Sequence, residues 1–346
     1  MKVLVTGGAG FIGVNTAMGL LEMGHEVVVL DNCSRLGAEE NLAWLQDRGK
    51  VTVHRVDLRH WDTVRAVFSE HDDMAGVIHL AGQVAVTSSV ADPREDFESN
   101  ALGTFNVLEA LRLLDGGRGE RFFLNASTNK VYGAMQEVVV EEGERRYAYR
   151  DHPMGVNEST PLDFHSPYAC SKGAADQYGR DYARVFGLPT VGLRQSCIYG
   201  PRQFGIEEQG WVAWFTIAAV LGRPITIFGN GKQVRDVLHV DDLVRLFLQC
   251  IEAMPACAGR VYNVGGGPDH TLSLLELIAL LEELLGINIP LTFADWRPGD
   301  QRIYVSDIRL VQKELDWAPT IGVAEGVGKL CRWVVREQPL LEQLLP

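Results

Sequence analysis

Two short motifs in the middle of the sequence contain side chains that could take a proton from an alcohol. The first is Ser-Thr-Asn-Lys-Val-Tyr-Gly from Ser127, and the second is Ser-Pro-Tyr-Ala-Cys-Ser-Lys from Ser166. Tyr168 and Lys172 are four residues apart, so they would share one face of a helix. A neighbouring ammonium group favours the phenolate of a tyrosine, which is otherwise a poor base at neutral pH. Thr128 would orient the same hydroxyl, and the three residues form the predicted catalytic set.

A glycine-rich turn near the N-terminus predicts a dinucleotide site. Gly7, Gly10 and Gly13 lie between an apolar strand and a helix, where they allow a tight turn, close approach of a pyrophosphate and helix packing. Asp31 ends the next predicted strand, where an acid accepts hydrogen bonds from ribose hydroxyls and repels a 2′-phosphate. The sequence therefore predicts NAD rather than NADP. Arg35 is the one nearby residue that argues against NAD. The alternative to a dinucleotide site is a glycine turn with a purely structural role.

Further cofactor contacts are expected after the third and fourth strands. Asp57 is placed to meet the adenine edge, with a helix cap as the alternative. Leu80, Ala81 and Gly82 would pass close to the cofactor, whose positive nicotinamide ring would also favour the Tyr168 phenolate. The complete predicted set is Gly7, Gly10, Phe11, Ile12, Gly13, Asp31, Asn32, Ser34, Arg35, Asp57, Leu58, Leu80, Ala81, Gly82, Asn100, Tyr168 and Lys172.

The order of apolar segments predicts the fold that positions these motifs. Short β-branched runs alternate with helical patterns, which is typical of parallel βαβ units. We expect an α/β protein with a doubly wound parallel-sheet Rossmann domain, at 1–198 and about 233–270. A smaller α/β C-terminal substrate lobe is expected at about 199–232 and 271–346. The predicted strands are 3–6, 26–31, 51–55, 76–80, 121–125, 190–194 and 261–264, and the predicted helices are 13–23, 104–114 and 272–285.

A polar stretch between Gly133 and His165 interrupts this pattern of short connections. Loops of that length in a compact domain are usually functional or disordered. Because it separates the two catalytic motifs, one interpretation is a lid or substrate wall. The other is a solvated surface insertion.

Composition limits the class of protein. The 346 residues are 46% hydrophobic and 22% charged, which is ordinary for a soluble globular enzyme. A formal net charge of −13 argues against binding to nucleic acid, which needs a basic surface. The absence of a long apolar run and of room for a signal peptide predicts no membrane association and a cytoplasmic location. Six cysteines without metal-ligand spacing predict reduced thiols and no metal site.

These motifs resemble the extended short-chain dehydrogenases/reductases of the nucleotide-sugar epimerase/dehydratase group. The similarity covers essentially the whole chain, including 229–239 and 297–300. The resemblance implies bound NAD, a nucleotide-sugar substrate and a homodimer or higher oligomer formed through helices around 104–114 and 166–186. Within the group the chain most resembles the CDP-paratose (CDP-tyvelose) 2-epimerases, through segments 81–85, 127–130, 164–168, 172–178 and 209–212. This resemblance implies a role in lipopolysaccharide biosynthesis.

The resemblance also implies a substrate site. Arginines that match Arg235 and Arg297 usually hold the diphosphate, a role that suits a guanidinium fork. The alternative is a pair of surface salt bridges, Arg235 with Asp236 and Arg297 with Asp300. The complete implied set is Gln83, Ser127, Asn129, Lys130, Gln195, Cys197, Gln209, Trp211, Arg235, Arg297 and Asp300.

The residues after Thr128 separate the reactions of the group. Dehydratases typically have an Asp-Glu pair there and UDP-glucuronate decarboxylases a Glu at the second position, whereas this chain has Asn129 and Lys130. The resemblance thus implies a carbon 2 epimerase of a CDP-linked hexose, CDP-paratose or CDP-glucose, acting through a keto-sugar. A carbon 4 epimerase, another NAD-dependent nucleotide-sugar oxidoreductase or dehydratase, and a non-catalytic NAD(H)-sensing protein are the alternatives. Cys197, where many relatives have Asn, is interpreted as packing rather than as an acid-base group.

Overall fold

The computed structural model describes residues 1–207, 209–297 and 300–345. Its strands are β1 Lys2–Thr6, β2 Glu26–Asp31, β3 Val51–Arg55, β4 Gly76–His79, β5 Phe122–Thr128, β6 Val140–Glu142, β7 Tyr147–Tyr149, β8 Thr190–Gln195, β9 Cys197–Tyr199, β10 Ile225–Phe228, β11 Val234–His239, β12 Val261–Val264, β13 Thr271–Ser273, β14 Leu291–Ala294 and β15 Ile303–Tyr304.

The helices lie between these strands and after the last of them. They are α1 Phe11–Glu22, α2 Ala38–Gln46, α3 Trp61–Glu70, α4 Val86–Ala91, α5 Pro93–Phe97, α6 Gly103–Asp115, α7 Pro167–Phe186, α8 Trp211–Val220, α9 Val240–Glu252, α10 Met254–Cys257, α11 Leu274–Leu285, α12 Arg309–Leu315, α13 Val323–Arg336 and α14 Gln338–Leu344. A π-helical turn, Glu98–Leu102, leads into α6, and a 3-10 turn, Asn129–Tyr132, follows β5. Within the described ranges no helix is long and apolar enough to cross a membrane.

A parallel sheet with the strand order β12-β8-β5-β4-β1-β2-β3 forms the centre of the fold. Its inner strands are almost entirely buried because helices cover both faces. One face packs on α1 and α9, and the other on α3 and α6. The strand order changes direction between β1 and β4, which opens a crevice at the carboxyl ends of the strands. The predicted doubly wound α/β fold is confirmed.

Smaller sheets lie outside the large one, and several of their strands precede β12 in the chain. β11 pairs with β9 and β15 in parallel and with β13 antiparallel, and β10 pairs with β14. Helices α8, α11 and α13 surround a separate apolar core that includes Phe215, Leu281 and Trp333. The residue limits of the two predicted domains stay a prediction.

Local backbone chemistry moves the ends of two predicted helices. α1 begins at Phe11, two residues before the predicted start, because Gly10 takes the extended conformation of a helix N-cap. α11 begins at Leu274 instead of residue 272 because the preceding residues form β13. Ser273 and Glu276 then form a capping box.

Strand β5 extends three residues beyond the predicted end at 125. Its pairing with β8 continues to Thr128, which lies opposite Gln195. Long-range pairing of this kind is not visible in local sequence propensity. The extension places Ser127 and Thr128 at the carboxyl end of a central strand, beside the crevice.

The polar segment between Gly133 and His165 is packed onto the smaller sheet. It contains the hairpin β6–β7, and Tyr147 contributes to a small core with Val234 and Ile303. Val156 forms a parallel bridge with Ser306. The segment also lines a cavity of about 590 Å³. The segment is therefore partly packed, and its role as a lid or substrate wall stays a prediction.

Candidate active site

A cavity of about 490 Å³ lies in the crevice of the large sheet, bounded by the glycine turn and the ends of β2, β3 and β4. Three predicted cofactor residues, Asn100, Tyr168 and Lys172, do not line it. The predicted residues that do line it are Gly7, Gly10, Phe11, Ile12, Gly13, Asp31, Asn32, Ser34, Arg35, Asp57, Leu58, Leu80, Ala81 and Gly82.

The glycine turn has the shape that a bound dinucleotide requires. Gly7 has φ +67° and lies so close to the main chain of Ala81 that a Cβ there would be 2.6 Å from its nitrogen. An added Cβ at Gly13 would collide with the carbonyl of Gly7. At Gly10 the added Cβ would meet only the carbonyl of Gly7, at 3.2 Å, because this residue faces the cavity. The turn therefore fits a pyrophosphate beside the start of α1.

Two carboxylates lie at the end of the cavity that is bounded by β2 and β3, where the adenosine of a dinucleotide is expected. Asp31 accepts hydrogen bonds from the main-chain nitrogens of Ala9, at 2.9 Å, and Cys33, at 2.8 Å. Asp57 is paired with Arg59 at 2.7 Å, and these hydrogen bonds lower the pKa of its carboxyl to about 2. His60 is the N-cap residue of α3, so the helix-cap interpretation of Asp57 is wrong.

Asn100 lies beneath this cavity and not on its wall. The π-helical turn directs its amide nitrogen to Asp96, at 3.1 Å, and to Ser171, at 3.2 Å. Its carbonyl oxygen points toward Gly82, where an added Cβ would come within 2.5 Å. Asn100 is therefore buried behind Gly82, and its contact with the cofactor stays a prediction.

A second cavity, of about 430 Å³, joins the catalytic motifs to the smaller sheets. It shares Phe11, Ile12, Gln203 and Gln209 with the first cavity, so the two meet at the start of α1. The predicted residues that line it are Thr128, Tyr168, Ser127, Asn129, Lys130, Gln195, Cys197, Gln209, Trp211, Arg235, Arg297 and Asp300.

Gln83 is the exception among the predicted substrate residues. It lines the cofactor cavity, and its amide nitrogen donates to the carbonyl of Ala85 at 2.7 Å. Arg35 contacts the side chain of Gln209 across the boundary between the two cavities. This contact joins the adenosine end of the first cavity to the loop before α8.

Thr128 and Tyr168 meet on the wall of the second cavity. Thr128 ends β5, and Tyr168 lies in the first turn of α7, which starts at Pro167 after the N-cap Ser166. Burial raises the pKa of Tyr168, and its hydrogen bond to Thr128 lowers it only in part. The expectation that Lys172 and a nicotinamide ring together favour the phenolate stays a prediction.

Lys172 contacts the backbone of strand β5. Its ammonium group donates to the carbonyl of Ala126 at 2.6 Å, and burial lowers its pKa to about 8. The main-chain contact fixes Lys172 one helical turn after Tyr168, on the same face of α7. The Lys172 ammonium group, whose charge would lower the pKa of Tyr168, is therefore bound to the backbone of β5.

The two predicted phosphate arginines make different contacts. Arg235 pairs with Asp300 at 2.7 Å, and Asp236 is instead bound to Ser196. Arg297 donates to the carbonyl of Glu207 at 3.1 Å, and its guanidinium lies 3.9 Å from the ring centre of Phe228. The alternative pairings, Arg235 with Asp236 and Arg297 with Asp300, are therefore wrong. Pro298 and Gly299 of the same motif lie outside the described residues.

Lys130 and Cys197 have perturbed pKa values at the wall of the second cavity. Burial lowers the pKa of Lys130 to about 8, and its ammonium group donates to Gln301 at 3.1 Å. Burial raises the pKa of Cys197 to about 12. The thiol is therefore neutral at physiological pH, which agrees with its interpretation as packing.

Some cavity residues were not predicted from the sequence. Gln203 lines both cavities, and Phe228 and Gln233 line the second. The signal for them was the position of two glycine-containing turns, Tyr-Gly-Pro-Arg-Gln from Tyr199 and Gly-Asn-Gly-Lys-Gln from Gly229, each at the end of a strand.

The doubly wound sheet, the glycine turn and the Thr-Tyr-Lys set beside the second cavity define the extended short-chain dehydrogenase/reductase class. The profile of the GDP-mannose 4,6 dehydratase family matches residues 4–330, and the chain belongs to this family. The resemblance found in the sequence is confirmed.

Individual relatives include both epimerases and dehydratases. The chain is 45% identical to CDP-paratose 2-epimerase of Salmonella typhi, over 96% of this chain and 99% of that one. It is 30% identical to dTDP-glucose 4,6-dehydratase of Neisseria gonorrhoeae, over 96% and 95% of the two chains. The structure is similar to that of the UDP-glucose 4-epimerase of Thermus thermophilus in complex with NAD. The TM-score is 0.81 at 35% identity, covering 96% of this chain and 99% of the other.

Proposed function

We propose that the protein is an NAD-dependent epimerase that inverts carbon 2 of a CDP-linked hexose, of the CDP-paratose to CDP-tyvelose type. The 45% identity to a CDP-paratose 2-epimerase over nearly the whole chain supports this choice. The observation that carries it lies beside Thr128 and Tyr168. Asn129 and Lys130 line the second cavity there, and neither can act as the carboxylate pair that dehydration requires.

NAD would occupy the first cavity. The glycine turn would hold the pyrophosphate, and Asp31 would accept hydrogen bonds from the adenosine ribose. A relative in this class has been crystallised with NAD, which supports the choice of cofactor. When bound, NAD accepts a hydride from the sugar carbon and returns it, so the reaction has no net redox change.

Tyr168 would take the proton of the carbon 2 hydroxyl and give it back when the ketone is reduced. Thr128 would hold that hydroxyl beside Tyr168. Since burial raises the pKa of Tyr168, its phenolate needs positive charge, which Lys172 and the occupied cofactor cavity would supply. Inversion requires the keto-sugar to present its other face to the same residues.

Arg235 and Arg297 would hold the diphosphate of the substrate. Both line the second cavity, and a guanidinium group suits phosphate oxygens. Asp300 competes with the substrate for Arg235, with which it is paired at 2.7 Å. Firm binding of the nucleotide end leaves the sugar free to turn beside Tyr168.

We also propose a cytoplasmic homodimer that serves lipopolysaccharide biosynthesis. The apolar side chains exposed along α6 and α7 support dimerisation, with Leu113, Tyr178 and Val185 exposing 52%, 46% and 62% of their surface. The family resemblance supports the location and the pathway. Static light scattering of the purified protein tests the oligomeric state.

The decisive experiment incubates the protein with CDP-paratose and, separately, with CDP-glucose, without added cofactor, in deuterated water. Proton NMR follows the configuration at carbon 2. Inversion without deuterium uptake is the expected result, because retained NAD would return the same hydride. Deuterium at carbon 2 of the inverted sugar would refute hydride return and indicate enolisation. Change at carbon 4 instead of carbon 2 would favour the alternative epimerase.

A further inference from the structure

Two imidazoles and a carboxylate converge on the outer edge of the large sheet. His54 lies in the edge strand β3, Glu70 ends α3, and His71 follows it. The Nε2 atoms of the two histidines are 2.7 Å apart, and Oε1 of Glu70 is 3.9 Å from each of them. None of the three residues lines either of the two cavities of the active site.

This geometry is close to that of a metal site. A tetrahedral Zn²⁺ holds imidazole nitrogen and carboxylate oxygen at about 2.0–2.2 Å, which places the ligand atoms roughly 3.3 Å from one another. The observed separations lie on both sides of that value, and the three candidate atoms all lie within 4.8 Å of one another. Shifts of about half an ångström would make the three separations equal. We propose that His54, Glu70 and His71 bind a divalent transition-metal ion, with Zn²⁺ as the ion to test.

The surroundings favour a cation at this edge. Lys2 is the nearby opposing charge, but it is paired with Asp73 at 2.7 Å and with Glu26 at 3.4 Å. The formal net charge of −13 adds a general attraction for cations.

The ion would join a strand to a helix that are otherwise held by packing. β3 pairs only with β2 among the described strands, so its other edge is unpaired. A metal bound by His54 from β3 and by Glu70 and His71 from the end of α3 would fix that edge. Glu70 is exposed, which leaves a path for the ion and room for a water as fourth ligand. The site would therefore be structural and independent of the epimerase reaction.

The sequence spacing alone did not indicate this site, because the ligands lack a Cys-x-x-Cys or a closely spaced His pair. The fold brings the two histidines together through βα packing. A metal bound here would contradict the prediction of no metal site, which was made from the cysteines and their spacing.

The test is a calorimetric titration of the full-length protein with ZnCl₂ after removal of metals by EDTA. We expect one equivalent of Zn²⁺ to bind, and the melting temperature to rise. His54→Gln and Glu70→Gln should each weaken binding at least about tenfold and reduce the rise in melting temperature. Glu70 is exposed, so its variant should fold even if a variant of His71 does not. Exposed His152 is the matched control, and His152→Gln should bind as the wild type does.

Two results would overturn the proposal. One is no stoichiometric binding of Zn²⁺ at micromolar concentration. The other is binding that His54→Gln and Glu70→Gln leave unchanged, which would place the ion elsewhere on the acidic surface. Epimerase activity measured with and without EDTA separates the two proposals, because removal of the ion should leave the carbon 2 inversion intact.

Discussion

A buried ion pair behind the catalytic strand should be the most costly polar contact of the fold to break. Asp176 in α7 accepts two hydrogen bonds from Arg194 in β8, both at 3.0 Å, and one from Ser127 at 2.8 Å. The two charged side chains expose 1% and 2% of their surface. Arg194 also donates to the hydroxyl of Tyr132 at 3.0 Å, so the network links α7, β5 and β8.

Asp176→Asn keeps the size of the side chain and removes its charge. The variant would leave a buried guanidinium without a counter-charge and turn an amide donor toward its N–H groups. Removing one partner of such a pair costs about 3–5 kcal/mol of folding free energy. Since whole domains are stable by only about 5–15 kcal/mol, the loss should be obvious in a denaturation curve.

Urea unfolding, followed by circular dichroism at matched NAD concentration, measures this cost. Asp181→Asn is the control, because Asp181 is exposed on the same helix, and it should change stability by less than about 0.5 kcal/mol. A double variant, Asp176→Leu with Arg194→Met, should lose less than the single variant because no charge stays buried. A loss below about 1 kcal/mol for Asp176→Asn would refute this account of the network.

Three further predictions concern the site and its surroundings. Tyr168→Phe should reduce kcat for carbon 2 inversion by about 10²–10⁴-fold with little change in KM, and an NMR rate near that of the wild type would exclude it as the base. Cys197→Ser should retain activity within about threefold, because burial raises the thiol pKa to about 12; a loss like that of Tyr168→Phe would contradict this. Burial lowers the pKa of His79 to about 3, so the unfolded chain binds the proton first and stability falls as pH drops from 6.5 toward 3. Between pH 7 and pH 5 His79 should lower the free energy of unfolding by about 2 kcal/mol, and urea unfolding of His79→Gln should not show this decrease. The same pH dependence of stability in both proteins would contradict this prediction.

The large sheet and the cofactor cavity could be predicted because their signals are local. The inner strands contain short apolar runs, and the turn from Gly7 to Gly13 needs glycine for reasons that hold within a few residues. The errors fall where distant segments decide. Residues 271–273 form a strand only because β11 lies beside them, and β5 reaches Thr128 only because β8 continues to pair with it.

The electrostatics of the site were the least predictable part. The sequence places Lys172 one turn after Tyr168, but only the fold shows its ammonium group bound to the carbonyl of Ala126. Likewise, nothing in the spacing indicated that Asp300 would pair with Arg235 and not with Arg297. Long charged side chains choose their partners by tertiary position, and pairs within a few residues are only the nearest candidates.

The charges around the second cavity explain why one fold can lead to epimerisation or to dehydration. In the proposed mechanism both reactions would begin with the same oxidation beside Thr128 and Tyr168, and elimination of water would then need an acid and a base near the sugar. Among the described residues that line this cavity, the carboxylates are Glu207 and Asp300, and Asp300 is paired with Arg235. The resemblance implies that Lys130, whose pKa burial lowers to about 8, occupies the position of the second carboxylate of a dehydratase. Because neither Asn129 nor Lys130 is a carboxylate, the proposed reaction would return the hydride to the keto-sugar instead of eliminating water.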